Sequence, residues 1–143
     1  MDVTKYHHWM VRRGSIGLVL IPDDGEVELK IDPEASNFCV LEPQDAIDVA
    51  SIIGGLARPI WERFRNDEQM MGVSGGYAVD HSNSSITWPT SAGPLLIAPG
   101  AVGGLIRIGD ANVMTFRMRV NPLIEIVQFL ERLTEREVED PSA

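Results

Sequence analysis

The sequence predicts an α+β domain in which antiparallel β-sheet, in one layer or two, is covered on its dry faces by two amphipathic helices. Three observations predict it. Short runs alternate polar and apolar residues, as half-buried strands do. Two longer segments repeat their apolar residues at helical spacing. Both halves of the chain place these parts in the same order, strands first and helix last, so duplicated β-β-β(-β)-α units are the expected architecture.

In the first half, Ile16-Gly17-Leu18-Val19-Leu20-Ile21 is short, apolar and rich in branched residues. Pro22-Asp23-Asp24-Gly25 follows as a turn. Glu26-Val27-Glu28-Leu29-Lys30-Ile31-Asp32 then alternates without a fault, so the two runs are expected to pair as a hairpin. Residues 33–37 form the next turn and 38–41 a third strand. A helix over 44–64 opens with Pro43, whose missing N–H has no partner in a first turn anyway. Spacing at 100° per residue puts Ala46, Val49, Ala50, Ile53, Leu56, Ala57, Ile60, Trp61 and Phe64 on one face. Gly54-Gly55 weakens this helix by about 1 kcal/mol per glycine relative to alanine. Pro59 removes a ladder bond and predicts a kink or break.

Residues 66–76 read as a linker. The second half offers short strands at 77–79, 86–88, 95–97 and 104–108, then an alternating run at 113–120. Asn121-Pro122 reads as a cap and first position for a helix over about 123–136. Leu123, Ile126, Val127, Leu130 and Leu133 form its dry stripe, with Phe129 at the edge and partly exposed. The expected organisation is one domain over 1–143, with pseudo-repeat halves at 9–65 and 73–136 and an acidic flexible tail at 137–143.

The net charge is -9, which repels phosphate backbones at long range. The single cysteine, Cys39, excludes an intrachain disulfide. Met1-Asp2-Val3-Thr4-Lys5 lacks the basic flank and apolar run of a secretory signal. No uninterrupted apolar run approaches ~18 residues, so neither a membrane span nor a membrane partner is expected, and the cytoplasm is the expected setting.

Residues of the types that carry chemistry have plainer readings. His7-His8 lacks further ligands at metal spacing, so no metal is expected. His81 lies in a polar loop, His81-Ser82-Asn83-Ser84-Ser85, that reads as a solvated hairpin tip. The glycine stretches 72–76 and 100–104 lack the Lys-Ser/Thr ending of a phosphate loop and read as turns. Cys39 sits between Phe38 and Val40 as a small buried hydrophobe. Asp23-Asp24, Asp45 and Asp48 stand where turns and first helical turns favour acids. No catalytic residue and no cofactor are therefore expected.

The arginines form a second candidate. Alternation sends Arg117 and Arg119 to one sheet face and Met114, Phe116 and Met118 to the other. Together with Arg107 and with the aromatic residues Trp88, Tyr77 and Trp9 nearby, they make a candidate surface for stacking bases and holding phosphates. The element order from Ile16 to Arg136, antiparallel strands then one amphipathic helix, twice, resembles the Whirly and positive-cofactor-four group of single-strand nucleic-acid binders. That resemblance implies curved sheets with exposed basic and aromatic residues, and helices that pack units into dimers or pseudo-dimers. Phe129, Trp61, Ile126 and Leu130 are the candidate interface. The leading expectation is a small acidic, non-catalytic interaction protein that binds a protein partner or itself, as a homodimer. The alternative is a single-stranded nucleic-acid-binding module using Arg107, Arg117, Arg119 and Trp88. An enzyme has the least support.

Overall fold

The computed structural model describes residues 6–12, 14–21, 24–33, 38–100, 104–109 and 115–139, with backbone alone for Tyr6, Trp9 and 136–139. The turn residues 22–23 and 34–37, the middle of the second glycine stretch (101–103), residues 110–114 and the end of the acidic tail (140–143) lie outside the described residues. The first half runs β1 (Tyr6–Val11), β2 (Gly14–Ile21), β3 (Glu26–Pro33), β4 (Phe38–Leu41), α1 (Pro43–Phe64). The second runs α2 (Glu68–Met71), β5 (Ala78–Asp80), β6 (Ser85–Thr90), β7 (Gly93–Pro99), β8 (Ile106–Gly109), β9 (Thr115–Met118), α3 (Val120–Glu139). The α+β class is as the sequence predicts, with antiparallel sheet throughout.

The strands form two sheets, ordered β1-β2-β3-β9 and β4-β8-β7-β6-β5. Each half lends its last strand to the other half's sheet. β9 pairs with β3, placing Arg117 opposite Glu28 and Phe116 opposite Leu29. β4 pairs with β8, placing Cys39 opposite Ile108. The alternation read from the sequence sets which residues face inward. Val27, Leu29 and Ile31 are buried on β3, as are Phe116 and Met118 on β9.

One apolar core joins both sheets to α1 and α3. Along α1, Ala46, Val49, Ala50, Ile53, Leu56, Ala57 and Ile60 are buried, as the helical spacing requires. Leu123, Ile126 and Leu130 do the same on α3. Each fully buried Leu, Ile or Phe contributes about 1.5–3 kcal/mol, enough in sum to hold α1 and α3 on the sheets and against each other. α1 starts as expected, with Pro43 its first residue and the Glu42 N–H donating to Asp45 Oδ2 at 3.0 Å.

Five expectations are corrected. β1 appears where the sequence shows no clean alternation; pairing with β2 forms it. The 66–76 linker contains the turn α2, capped by Asp67, whose carboxylate accepts from the Gln69 and Met70 N–H groups. α1 passes through Pro59 without a break: the proline is on the exposed face, while Ile60 continues the buried stripe. α3 begins at Val120, so Asn121 is not its cap, and it continues to Glu139, into the stretch read as a tail. Phe129 is only 7% exposed, because its ring packs on Trp88 at a centroid distance of 6.0 Å.

Gly14 shows how tightly β2 and β3 are joined. Its φ is +145°, and a Cβ there would run into the Asp32 carbonyl oxygen and approach Cys39 Sγ at 3.1 Å. Gly14→Ala should therefore lower the unfolding free energy by more than about 1 kcal/mol in urea titration. An unchanged midpoint would contradict the register.

Candidate functional site

Four chain segments converge beside the start of α3. The end of α1 supplies Arg65, α2 supplies Glu68, Gln69 and Met71, and the β6–β7 hairpin supplies Trp88 to Ser91. β9 and the first turns of α3 close the far wall with Arg117, Met118, Arg119, Asn121, Pro122 and Glu125. Between them lies a groove of about 1090 Å³, slightly above the usual size range of small-ligand sites.

The fourth wall is the strap of residues 72–76 between α2 and β5. Asn121 Nδ2 donates to the Gly72 carbonyl at 2.7 Å, and the Gly75 N–H donates to Glu125 Oε2 at 2.6 Å. The Ser74 hydroxyl reaches the same oxygen at 3.5 Å. Gly72 has a φ of +85°, and a Cβ there would meet Arg119 Cβ at 2.8 Å. The strap thus lies directly on the start of α3, and only glycine permits that approach. Residues 72–76 also spell Gly-x-Ser-x-Gly, but a nucleophile elbow needs a strand before it and a helix after it. Here a helical turn precedes and a strand follows.

The arginines divide. Arg117 and Arg119 share the groove, while Arg107 lies on β8 in the other sheet, its guanidinium 5.5 Å from the Phe38 ring centre. Arg117 Nε donates to Glu28 at 3.2 Å, a cross-strand pair set by the β3–β9 register. Arg119 Nη1 donates to the carbonyls of Asp24 (3.3 Å) and Met70 (3.5 Å). Arg65, Arg117 and Arg119 face Glu26, Glu68 and Glu125 across the groove, so its lining is bipolar rather than basic.

Trp88 was expected on an exposed face; the structure buries it to 2%. It alternates with Ile86 toward the core and its ring lies between Tyr77 (5.8 Å) and Phe129. No ring face is left for a base to stack on. Of the four candidate interface residues, Phe129, Ile126 and Leu130 belong to the core, because the stripe they form on α3 is the one that packs inward. Trp61 is 42% exposed on α1, although the helical spacing grouped it with the buried stripe.

No family model, curated protein or solved structure matches the chain. The site must be read from its own chemistry. Among the described residues no group of three His, Cys, Asp or Glu side chains could hold a metal, and no helix is long and apolar enough to cross a membrane. The Asp80 carboxyl lies below the usual carboxylate range because the Ser82 hydroxyl and N–H donate to it in the β5–β6 turn. Cys39 is buried, and desolvation pushes its thiol up; the S–H donates to the Ser15 carbonyl at 3.5 Å.

Glu125 and Asn121 are the groove residues the sequence did not flag. Each reads locally as a helix-surface or cap residue, and their partners lie about fifty positions away in sequence. A raised thiol is poorly nucleophilic. Cys39 should therefore resist iodoacetamide in the folded protein at mildly alkaline pH and react after denaturation, as read by mass spectrometry. Rapid native labelling would show that β4 opens.

Proposed function

We propose that this chain is a small non-catalytic interaction protein that assembles with a second copy of itself through the outer face of α1. The observation that carries the reading is a straight line of side chains on that face. Ile47, Gly54 and Trp61 follow each other at intervals of seven, and a helix returns to within about 20° after seven residues. Ile47 is 44% and Trp61 42% exposed, large apolar groups on an otherwise polar face. At the midpoint, a Cβ on Gly54 or Gly55 would meet nothing within 4 Å.

This pattern is self-complementary only when two helices run antiparallel. A two-fold axis through Gly54 sets Ile47 of each copy about 10 Å from the axis, against Trp61 of the other. The missing side chains at the centre let the helices approach closely. Charge supports the same direction. The first part of α1 and its cap carry Glu42, Asp45 and Asp48, while its end carries Arg58, Arg63 and Arg65 beside Glu62. Antiparallel docking brings acid to base at both ends; parallel docking sets like charges together. The Arg65 guanidinium, 5.7 Å from the Trp61 ring centre, holds the indole in place on the surface.

Sedimentation equilibrium over the micromolar range tests this. The wild-type chain should dimerise, and Trp61→Glu or Ile47→Arg should each make it monomeric with an unchanged circular dichroism spectrum. Combined in one chain, the two changes should restore the dimer at low salt, since each glutamate then meets a partner arginine. A wild-type monomer at all concentrations, or single variants that still dimerise, would remove the proposal.

A further inference from the structure

We infer that the groove at the start of α3 binds a short peptide with free termini, held beneath the 72–76 strap. The inference is independent of the α1 interface and rests on unmet bonding and on charge.

Two polar atoms on the groove's lining residues are buried without a hydrogen-bond partner among the described residues: the indole Nε1 of Trp88 and the Oε1 of Glu125. Buried polar groups are nearly always bonded, because leaving one unmade sacrifices its hydration for nothing. The two are chemically opposite. The indole can only donate, and the carboxylate oxygen can only accept. A ligand that meets both must carry an acceptor and a donor. A peptide does: its carbonyl or terminal carboxylate accepts from Trp88, and its ammonium or amide N–H donates to Glu125.

The charges narrow this to a zwitterion. Among the described residues Arg65, Arg119, Glu26, Glu68 and Glu125 form no ion pair, whereas Arg117 is taken by Glu28. A ligand of one sign, whichever it is, meets like charges in this lining. A free peptide places its carboxylate toward Arg119 and the positive start of α3, and its ammonium toward Glu125. Met71, Val73, Met118 and Pro122 supply apolar wall for its side chains.

The strap closes over the Glu125 carboxylate, where Gly75 and Ser74 sit, and the residue after it, Tyr77, lies against the indole ring of Trp88. Apart from Val73, residues 72–76 are glycines and one serine, and the Val73 side chain points away from the core, 75% exposed. Little apolar burial holds the strap down, so it can lift to admit a ligand and close on it.

The test uses the full-length ¹⁵N-labelled protein, with the Trp88 indole resonance assigned by Trp88→Phe. The probes are trileucine and its N-acetylated, C-amidated form. Trileucine should shift the Trp88 indole N–H downfield and saturate. The capped form should bind at least about tenfold more weakly, having lost both charged ends. Glu125→Gln keeps a carbonyl for Gly75 but presents a donor where the ligand needs an acceptor, and should weaken trileucine about tenfold. Trp88→Phe, which keeps an aromatic ring in the core, should weaken it as well, so the site can be judged even if Glu125→Gln fails to fold. Equal binding of the capped peptide, an unmoved Trp88 indole at millimolar trileucine, or unchanged affinity in folded variants would overturn the assignment.

Discussion

The exchange of β4 and β9 between the two sheets is the constraint on which the rest depends. Had each last strand stayed with its own half, the chain would divide into a four-stranded unit ending in α1 and a five-stranded unit ending in α3. Because β9 pairs with β3, and β4 with β8, neither half can complete its sheet alone. The exchange also fixes where each long helix begins. A single residue separates β4 from α1, and a single residue separates β9 from α3. Both helices are therefore delivered onto the same core from opposite sheets, and their dry stripes meet there.

Both candidate surfaces follow from that arrangement. α1 spends its buried stripe on the core and turns Ile47, Gly54 and Trp61 outward, with Arg65 beside the Trp61 ring. The start of α3, carried to the edge of the first sheet by β9, meets α2 and the strap that follow α1. The groove forms at this three-way junction. Its arginines and glutamates come from both halves, so its balance of charge belongs to the assembled fold and to neither half alone.

The surface and the groove differ in how rigidly they are made. The α1 face sits on a continuous helix with seven residues fully or nearly fully buried behind it. The strap is held by hydrogen bonds to Asn121 and Glu125 and by the close approach of Gly72 to Arg119, and it buries no side chain of its own. A rigid face suits a constant partner such as a second copy, and a loosely held cover suits a ligand that enters and leaves.

The sequence by itself determined the elements whose faces are periodic: the β2–β3 hairpin, the inward residues of β9, the buried stripes of α1 and α3, and the proline start of α1. Each is a local pattern, decided by which side chains leave water together. Helical spacing also placed Phe129 at the edge of its stripe and Trp61 within one, yet the structure buries the first and exposes the second. The width of a stripe is set by what packs against it, here Trp88 against Phe129, and that partner is distant in the chain. The strand exchange, the strap and the groove were decided only in three dimensions. Pairs such as Glu28 with Arg117, Asn121 with Gly72 and Glu125 with Gly75 are between 49 and 89 residues apart. No local periodicity records a bond that exists only after the two sheets have traded strands.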